Sequence, residues 1–410
     1  MSRRASEQGW IVDTLLAASG YEVLHPEAKH FMADIGYASV DWDRVLARVK
    51  AGAMFPKAMA EIGSEIERKA LWYEGERLGR AARDLFLRST LLYGQAQYSF
   101  VTGDRRKQIF REAMNRTMEG YVRHNSTPIE RVAVAFEGHT IYAHLHLPRA
   151  DVRAPLVLLL PGMDMYKEEW AKVAQEYYVP RGVAVLAVDG PGQGETNGGG
   201  LLVTLTNYEE AISALLDEVG PRPEIDAERI GLWGVSMGSY WGLRAAAHDV
   251  RIRAVATAMG CYGDMSVIFE RAQPSFKRNF MAMSGYTDEA RFDTEVAAKM
   301  RVAPVVDRID VPVLMAYGEF DELSTVEATI DLYDKITAPK RLLIFEQEFH
   351  ALGGVGAELI GSTAAWLELA LAGEIPPGDA QQAYVRRSGD IRDGSAEPAW
   401  WTEYASAPVS

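Results

Sequence analysis

From residue 156 onward the chain carries continuous apolar runs at 156–160 and 183–188, with further short strand candidates at 230–233, 254–258, 313–317 and 341–345. A run of four to eight apolar residues without polar alternation reads as a strand covered on both faces. The stretches 168–179, 208–219, 240–248, 325–335 and 358–371 between them place apolar residues three and four apart, which predicts helices. Buried strands alternating with helices leave one principal architecture, a mostly parallel sheet sandwiched between helical layers. Just upstream, 131–136 and 140–147 alternate in period two around Glu137-Gly138, so a β-hairpin should open the sheet.

Residues 1 to about 126 read as helical, with apolar periodicity in 41–54, 57–86 and 105–124. The expected organisation is a helical cap region at 1–126, an α/β unit at 127–375 and an irregular polar tail at 376–410, docked by Trp400 and Trp401. Within the α/β unit, the Met- and Phe-rich insertion 262–304 reads as a helical lid. The length of 410 residues allows a large domain plus an appended one, at ~150 residues per domain. Trp10, Phe31, Trp42, Phe55, Trp72, Tyr73, Phe86, Tyr93, Tyr98 and Phe100 should mostly form the helical region's own core. The functional alternative is that some of them line a substrate pocket. The apolar stretch 11–18 is interrupted by Asp13, so the N-terminus reads as an amphipathic helix and not as a signal peptide. No apolar run reaches the ~20 residues of a membrane span.

Gly234-Val235-Ser236-Met237-Gly238 lies between a predicted strand and a predicted helix. This G-x-S-x-G turn exposes a serine hydroxyl ahead of a helix N-terminus, where developing negative charge is favoured. A serine nucleophile needs a base oriented by an acid, in the chain order Ser, Asp or Glu, His. Two histidines follow Ser236. His248 ends the next helix and should face solvent, whereas His350 follows the last apolar run and is the expected base. Asp321 has the G-x-x-D placement after 313–317, with Glu319 and Glu322 as rivals in the same loop. Backbone N–H groups of Met237 and Met163 are the expected oxyanion donors, with Gly162 permitting close approach. The glycine-rich 189–194 lacks the lysine of a phosphate-binding loop and has no helix start close behind it, so it reads as a structural turn.

Forty-three Lys and Arg against 57 Asp and Glu give a net charge of −14. That balance disfavours nucleic acid and anionic membranes as partners and leaves a small molecule as the expected one. The single cysteine, Cys261, permits no intrachain disulfide and no Cys-based metal site, suits a cytoplasmic location and reads as a buried thiol. No metal-ligand spacing is visible, and neither metal nor organic cofactor is expected.

PGMDMYKEEW (161–170), AVDGPGQGE (187–195), GLWGVSMGS (231–239), YGEFDE (317–322) and His350 together resemble the α/β-hydrolase family typified by the 2,6-dihydroxypseudooxynicotine hydrolases. The fungal polyketide-shortening hydrolases of pigment pathways are similar. The resemblance covers most of residues 1–370. It implies an α/β-hydrolase fold with a helical cap, a Ser236–His350–Asp321 triad and hydrolysis of a C–C bond beside a ketone in an aromatic or polyketide-like substrate. It also implies an assisting glutamate in the lid, for which Glu270 stands in the right region, and makes a homodimer plausible. Ester or thioester hydrolysis with the same triad is the alternative, and an inactive binding protein on the same scaffold is a remote one.

Overall fold

The computed structural model describes residues 3, 8–20, 26–148, 153–163 and 165–394. Trp400, Trp401 and the rest of 395–410 lie outside the described residues.

The apolar run at 156–160 belongs to strand β3 (Ala154–Leu160), and its side chains divide between two cores. Leu156, Leu158 and Leu160 pack on one face of the sheet with Leu215, Trp241 and Met265. Val157 and Leu159 pack on the other with Trp170, Trp366 and Leu367. Burial on both faces removes any reason for polar alternation, which is why the sequence shows none.

The remaining strands are β1 (Ile129–Phe136), β2 (His139–His146), β4 (Ala184–Asp189), β5 (Ile225–Val235), β6 (Ile252–Ala258), β7 (Val313–Gly318), β8 (Lys340–Phe345), β9 (Ala380–Val385) and β10 (Ile391–Asp393). Their order in the sheet is β1-β2-β4-β3-β5-β6-β7-β8-β9-β10. β1 and β2 form the hairpin, with Phe136 opposite His139 and both Glu137 (φ 48°) and Gly138 (φ 77°) in the left-handed region that a tight two-residue turn requires. β2 joins β4 antiparallel, β9 and β10 pair antiparallel, and the pairs from β4 through β3 to β9 are parallel. This is the α/β-hydrolase architecture.

Three expectations need correction. The periodic stretch 57–86 is two helices, Phe55–Gly75 and Gly79–Tyr98, with Arg77 turning the chain at φ 61°. Both helices keep apolar faces through the break, so periodicity alone does not reveal it. The segment 168–179 is helical but irregular: 3-10 at Lys167–Trp170, α at Ala171–Val173, π at Ala174–Tyr178 and 3-10 again at Val179–Arg181. The tail supplies β9 and β10 to the sheet edge. Within β9 only Tyr384 is buried, so backbone pairing with β8 makes a strand where hydrophobicity gives no signal.

The N-terminal helices have a small core of their own, around Trp42, Val45, Met59, Ile62, Ile66 and Leu92. Phe31, Ile35, Phe86, Leu91 and Met118 instead join the core under the sheet's second face. Trp10 and Trp72 are exposed. Among the described residues no helix is long and apolar enough to cross a membrane.

Candidate active site

Parallel strands deliver their following loops to one edge of the sheet, and crevices there are where such folds bind ligands. Met163 follows β3, Ser236 follows β5, Asp321 follows β7 and His350 follows β8.

Ser236 sits at φ 53°, ψ −122°, between β5 and the helix Met237–His248. Its strained backbone is held by its N–H donating to Ala258 O at 2.9 Å. A Cβ on Gly234 would stand 2.1 Å from the Gly238 carbonyl oxygen, and one on Gly238 would stand 2.5 Å from Leu160 O. Both glycines are therefore steric requirements of the turn. Met237 is the first residue of its helix, so its N–H has no partner one turn back along the helix. Met163, Gly162, Ser236 and His350 line one cavity.

His350 Nε2 lies 2.9 Å from Ser236 Oγ, and His350 Nδ1 lies 2.8 Å from Asp321 Oδ2. Asp321 Oδ1 accepts from the N–H groups of Leu323 (2.8 Å) and Ser324 (3.0 Å), which fixes the carboxylate plane. The two rival glutamates brace the loops. Glu322 accepts from the His350 backbone N–H at 2.9 Å, and Glu319 accepts from that of Gln347 at 2.9 Å. Burial pulls the His350 pKa down, but the charge and hydrogen bond of Asp321, with Glu322 nearby, raise it above the ordinary 6.5. His248 is exposed. Cys261 is buried 3.9 Å from Ser236 Oγ, and burial and the Asp321 charge push its thiol up to about 12, which keeps it protonated and inert.

The cavity has a volume of about 190 Å³. Its walls come from three regions: Phe31, Gln95 and Tyr98 from the N-terminal helices, Phe276 from the insertion, and Met165, Met259 and Leu323 from the sheet-edge loops. Two of the ten N-terminal aromatics thus face the candidate site.

Glu270 does not join this group. Its side chain is 56% exposed and pairs with Lys277 Nζ at 2.7 Å, away from the cavity lining. Lys277 also meets Glu289 at 2.9 Å and Asp293 at 2.8 Å. These three carboxylates have metal-like spacing, but the ammonium already occupies the position between them.

Sequence reasoning missed the polar layer behind the site. Gln193 is buried and its Nε2 donates to Gly162 O at 2.6 Å, while its Oε1 accepts from Tyr208 OH at 2.6 Å. The turn at 189–194 is therefore a clamp on the Gly162–Met163 loop, and a short helix, Gly194–Gly198, does follow it. Asp189 anchors the start of that helix by accepting from Glu195 N–H at 2.8 Å. Lys167 is wholly buried against Glu168 (2.7 Å), Asp189 (3.0 Å) and Glu195 (3.1 Å). The signal was present in the KEEW and DGPGQGE stretches, whose charges are improbable in segments so apolar around them.

A model of the family described as Esterase FrsA-like matches residues 44–277. The chain belongs to the FrsA-like esterase family. This FrsA-like chain is 35% identical over 162 residues to 20-hydroxy-prefusarin hydrolase FUS2 of Gibberella moniliformis, a match covering 38% of each protein. It is 27% identical over 247 residues to 2,6-dihydropseudooxynicotine hydrolase of Paenarthrobacter nicotinovorans, covering 59% of this chain and 65% of that one. The chain thus spans less than two thirds of either relative's length. The crystal structure of the 2,6-dihydroxy-pseudo-oxynicotine hydrolase superposes with a TM-score of 0.76 at 22% identity, over 85% of this chain and 97% of that one, which shows the shared fold. The chain therefore combines the FrsA-like family assignment with an α/β-hydrolase fold.

Proposed function

We propose that Ser236, His350 and Asp321 form a catalytic triad that hydrolyses an acyl group joined to carbon next to a ketone, as in a β-diketone or an acylated phenol. The observation that carries this reading is the unbroken relay of 2.9 Å and 2.8 Å contacts from Ser236 Oγ through His350 to Asp321 on the wall of an apolar cavity.

Ser236 Oγ attacks the carbonyl carbon while its proton passes to His350 Nε2. Asp321 holds the imidazole tautomer and stabilises the imidazolium without taking the proton. The backbone N–H groups of Met237 and Met163 receive the oxyanion. Collapse of the tetrahedral intermediate breaks the C–C bond, and its electron pair leaves as an enolate or phenol carbon that takes the proton from His350. Water then adds to the acyl-enzyme with His350 as base, releasing a carboxylic acid and free Ser236.

An apolar cavity of 150 Å³ accommodates a benzene ring, so the ~190 Å³ here suits a single ring bearing a short acyl chain. A longer polyketide-like chain requires Phe276 and the insertion to move. The relatives named for a prefusarin and a pseudooxynicotine favour the C–C reaction. Ester hydrolysis is the second reading. It is favoured by the family's description and by Glu270 lying away from the cavity, which removes the lid glutamate as a proton donor for a carbon leaving group.

The test compares aryl β-diketones with aryl esters of the same acyl groups, using wild type and Ser236→Ala. Diketone cleavage lost in Ser236→Ala supports the C–C reaction. Turnover of esters alone makes the protein an esterase. Failure of Ser236 to react with an organophosphonate would sink the triad itself.

A further inference from the structure

Among the polar side chains lining the cavity, Gln95 comes from neither the proposed triad nor the loops that carry it. It belongs to the helix Gly79–Tyr98 of the N-terminal region. Its Nε2 lies 3.1 Å from Tyr37 OH and 3.2 Å from Glu169 Oε1. Tyr37 donates its own proton to the same Glu169 oxygen at 2.6 Å. Tyr37 and Glu169 are both buried.

An amide has two ends, and its neighbours decide which one faces where. The Tyr37 oxygen has spent its proton on Glu169 and offers Gln95 a lone pair. Glu169 Oε1 already accepts from Tyr37 and so faces Gln95 as an acceptor too. Both partners therefore demand the NH2 end of Gln95. A flipped amide would set a carbonyl oxygen against two oxygen lone pairs in a buried site, a costly arrangement. Both amide protons are committed to this pair, and the Oε1 carbonyl is the end left for the cavity.

We propose that Gln95 is a specificity-determining residue that presents a fixed hydrogen-bond acceptor to the cavity, selecting substrates whose ring bears a hydroxyl or N–H donor. Glu169 and Tyr37 are positioning residues that hold its orientation. This rests on the serine-hydrolase reading for turnover, but the binding preference is independent of the triad. A site built to accept a hydrogen bond rejects an analogue lacking the donor, because its own acceptor is then left dry and unpaired.

The experiment pairs 3-hydroxyphenyl acetate with 3-methoxyphenyl acetate and reads the ratio of their kcat/KM values. Wild type should favour the hydroxyl compound roughly tenfold or more, and Gln95→Met should bring the ratio close to one. Glu169→Gln supplies an N–H that lets the Gln95 amide reverse, so its ratio should also fall although residue 169 lies outside the cavity lining. The same preference should appear without chemistry in Ser236→Ala, as tighter binding of 3-hydroxyacetophenone than of 3-methoxyacetophenone, lost when Gln95→Met is added. A wild-type ratio near one, or a ratio that Gln95→Met leaves unchanged, overturns the proposal. Should wild type turn over neither ester, the binding arm still decides it, and only the ester reading falls.

Discussion

Gln193 Nε2 donates to the carbonyl oxygen of Gly162 at 2.6 Å, tying the loop after β4 to the loop that carries Met163. The amide is itself fixed by Tyr208, whose ring stacks on Trp241 with centroids 4.1 Å apart. A loop that must aim an N–H at a short-lived oxyanion gains from such rigidity, because the donor is in place before charge develops.

Gln193→Leu should therefore lower kcat more than it raises KM. Removing an oxyanion donor outright costs ~10²–10³ in kcat. Loosening the loop behind one should cost about tenfold, with Tyr208→Phe milder. Steady-state kinetics on an activated aryl ester check this, with active enzyme counted by organophosphonate titration so that a misfolded fraction does not pass for a loss of kcat; an unchanged kcat would refute it.

Under the proposed triad, the proton on His350 sets the pH response. The base must be neutral, so kcat/KM should rise with pH through a value above the ordinary 6.5, since Asp321 and Glu322 together outweigh burial. Asp321→Asn should shift that limb to lower pH and cut the rate by roughly 10⁴. Stability runs in the opposite direction. Folding binds this proton more tightly than the unfolded chain does, so the contribution is complete below pH 6.5 and is lost as pH rises through the folded value. A pH–rate profile beside a pH series of unfolding midpoints checks both signs.

Lys167 is wholly buried among three carboxylates, and their charges hold its proton well above the usual lysine range despite burial. Lys167→Met would leave Glu168 and Asp189 without their buried cation, while Glu195 keeps Arg131, and should destabilise the fold by about 3–5 kcal/mol. Lys57→Ala, which removes an exposed partner of Glu61, should barely move the midpoint. Denaturant unfolding of the two variants side by side is the measurement.

Glu270 pairs with Lys277 at the surface, away from the cavity. Glu270→Gln should change kcat/KM on diketones and esters by less than about twofold, as expected of a surface substitution. A selective loss on diketones would restore it as an acid in the reaction.

Some of this was legible in the residues alone. The strands on both sides of Ser236 announce themselves because two-sided burial concentrates apolar residues in the middle of each strand from β3 to β8 and leaves the charged ones near the ends. The elbow is legible because only glycine fits where a Cβ would strike the Gly238 carbonyl or Leu160 O. Chain order alone singles out His350, since the other histidine after Ser236 ends an exposed helix turn. Spacing favours Asp321 over Glu319 and Glu322 without excluding either. All three bear carboxylates within one loop, and only the position of Nδ1 separates the one that meets the imidazole from the two that meet backbone N–H groups.

The sequence by itself determined the central strands of the sheet, the helical character of the segments between them and the serine and histidine of the candidate site, because burial, periodicity and turn sterics are local properties of the chain. Only the tertiary structure decided which carboxylate meets the imidazole, the position of Glu270, the Gln193 clamp and the place of Gln95 beside Tyr37 and Glu169. Each of those depends on the direction of a side chain across elements distant in sequence, and such directions are set by packing and by which hydrogen-bond partners remain, neither of which a linear pattern records.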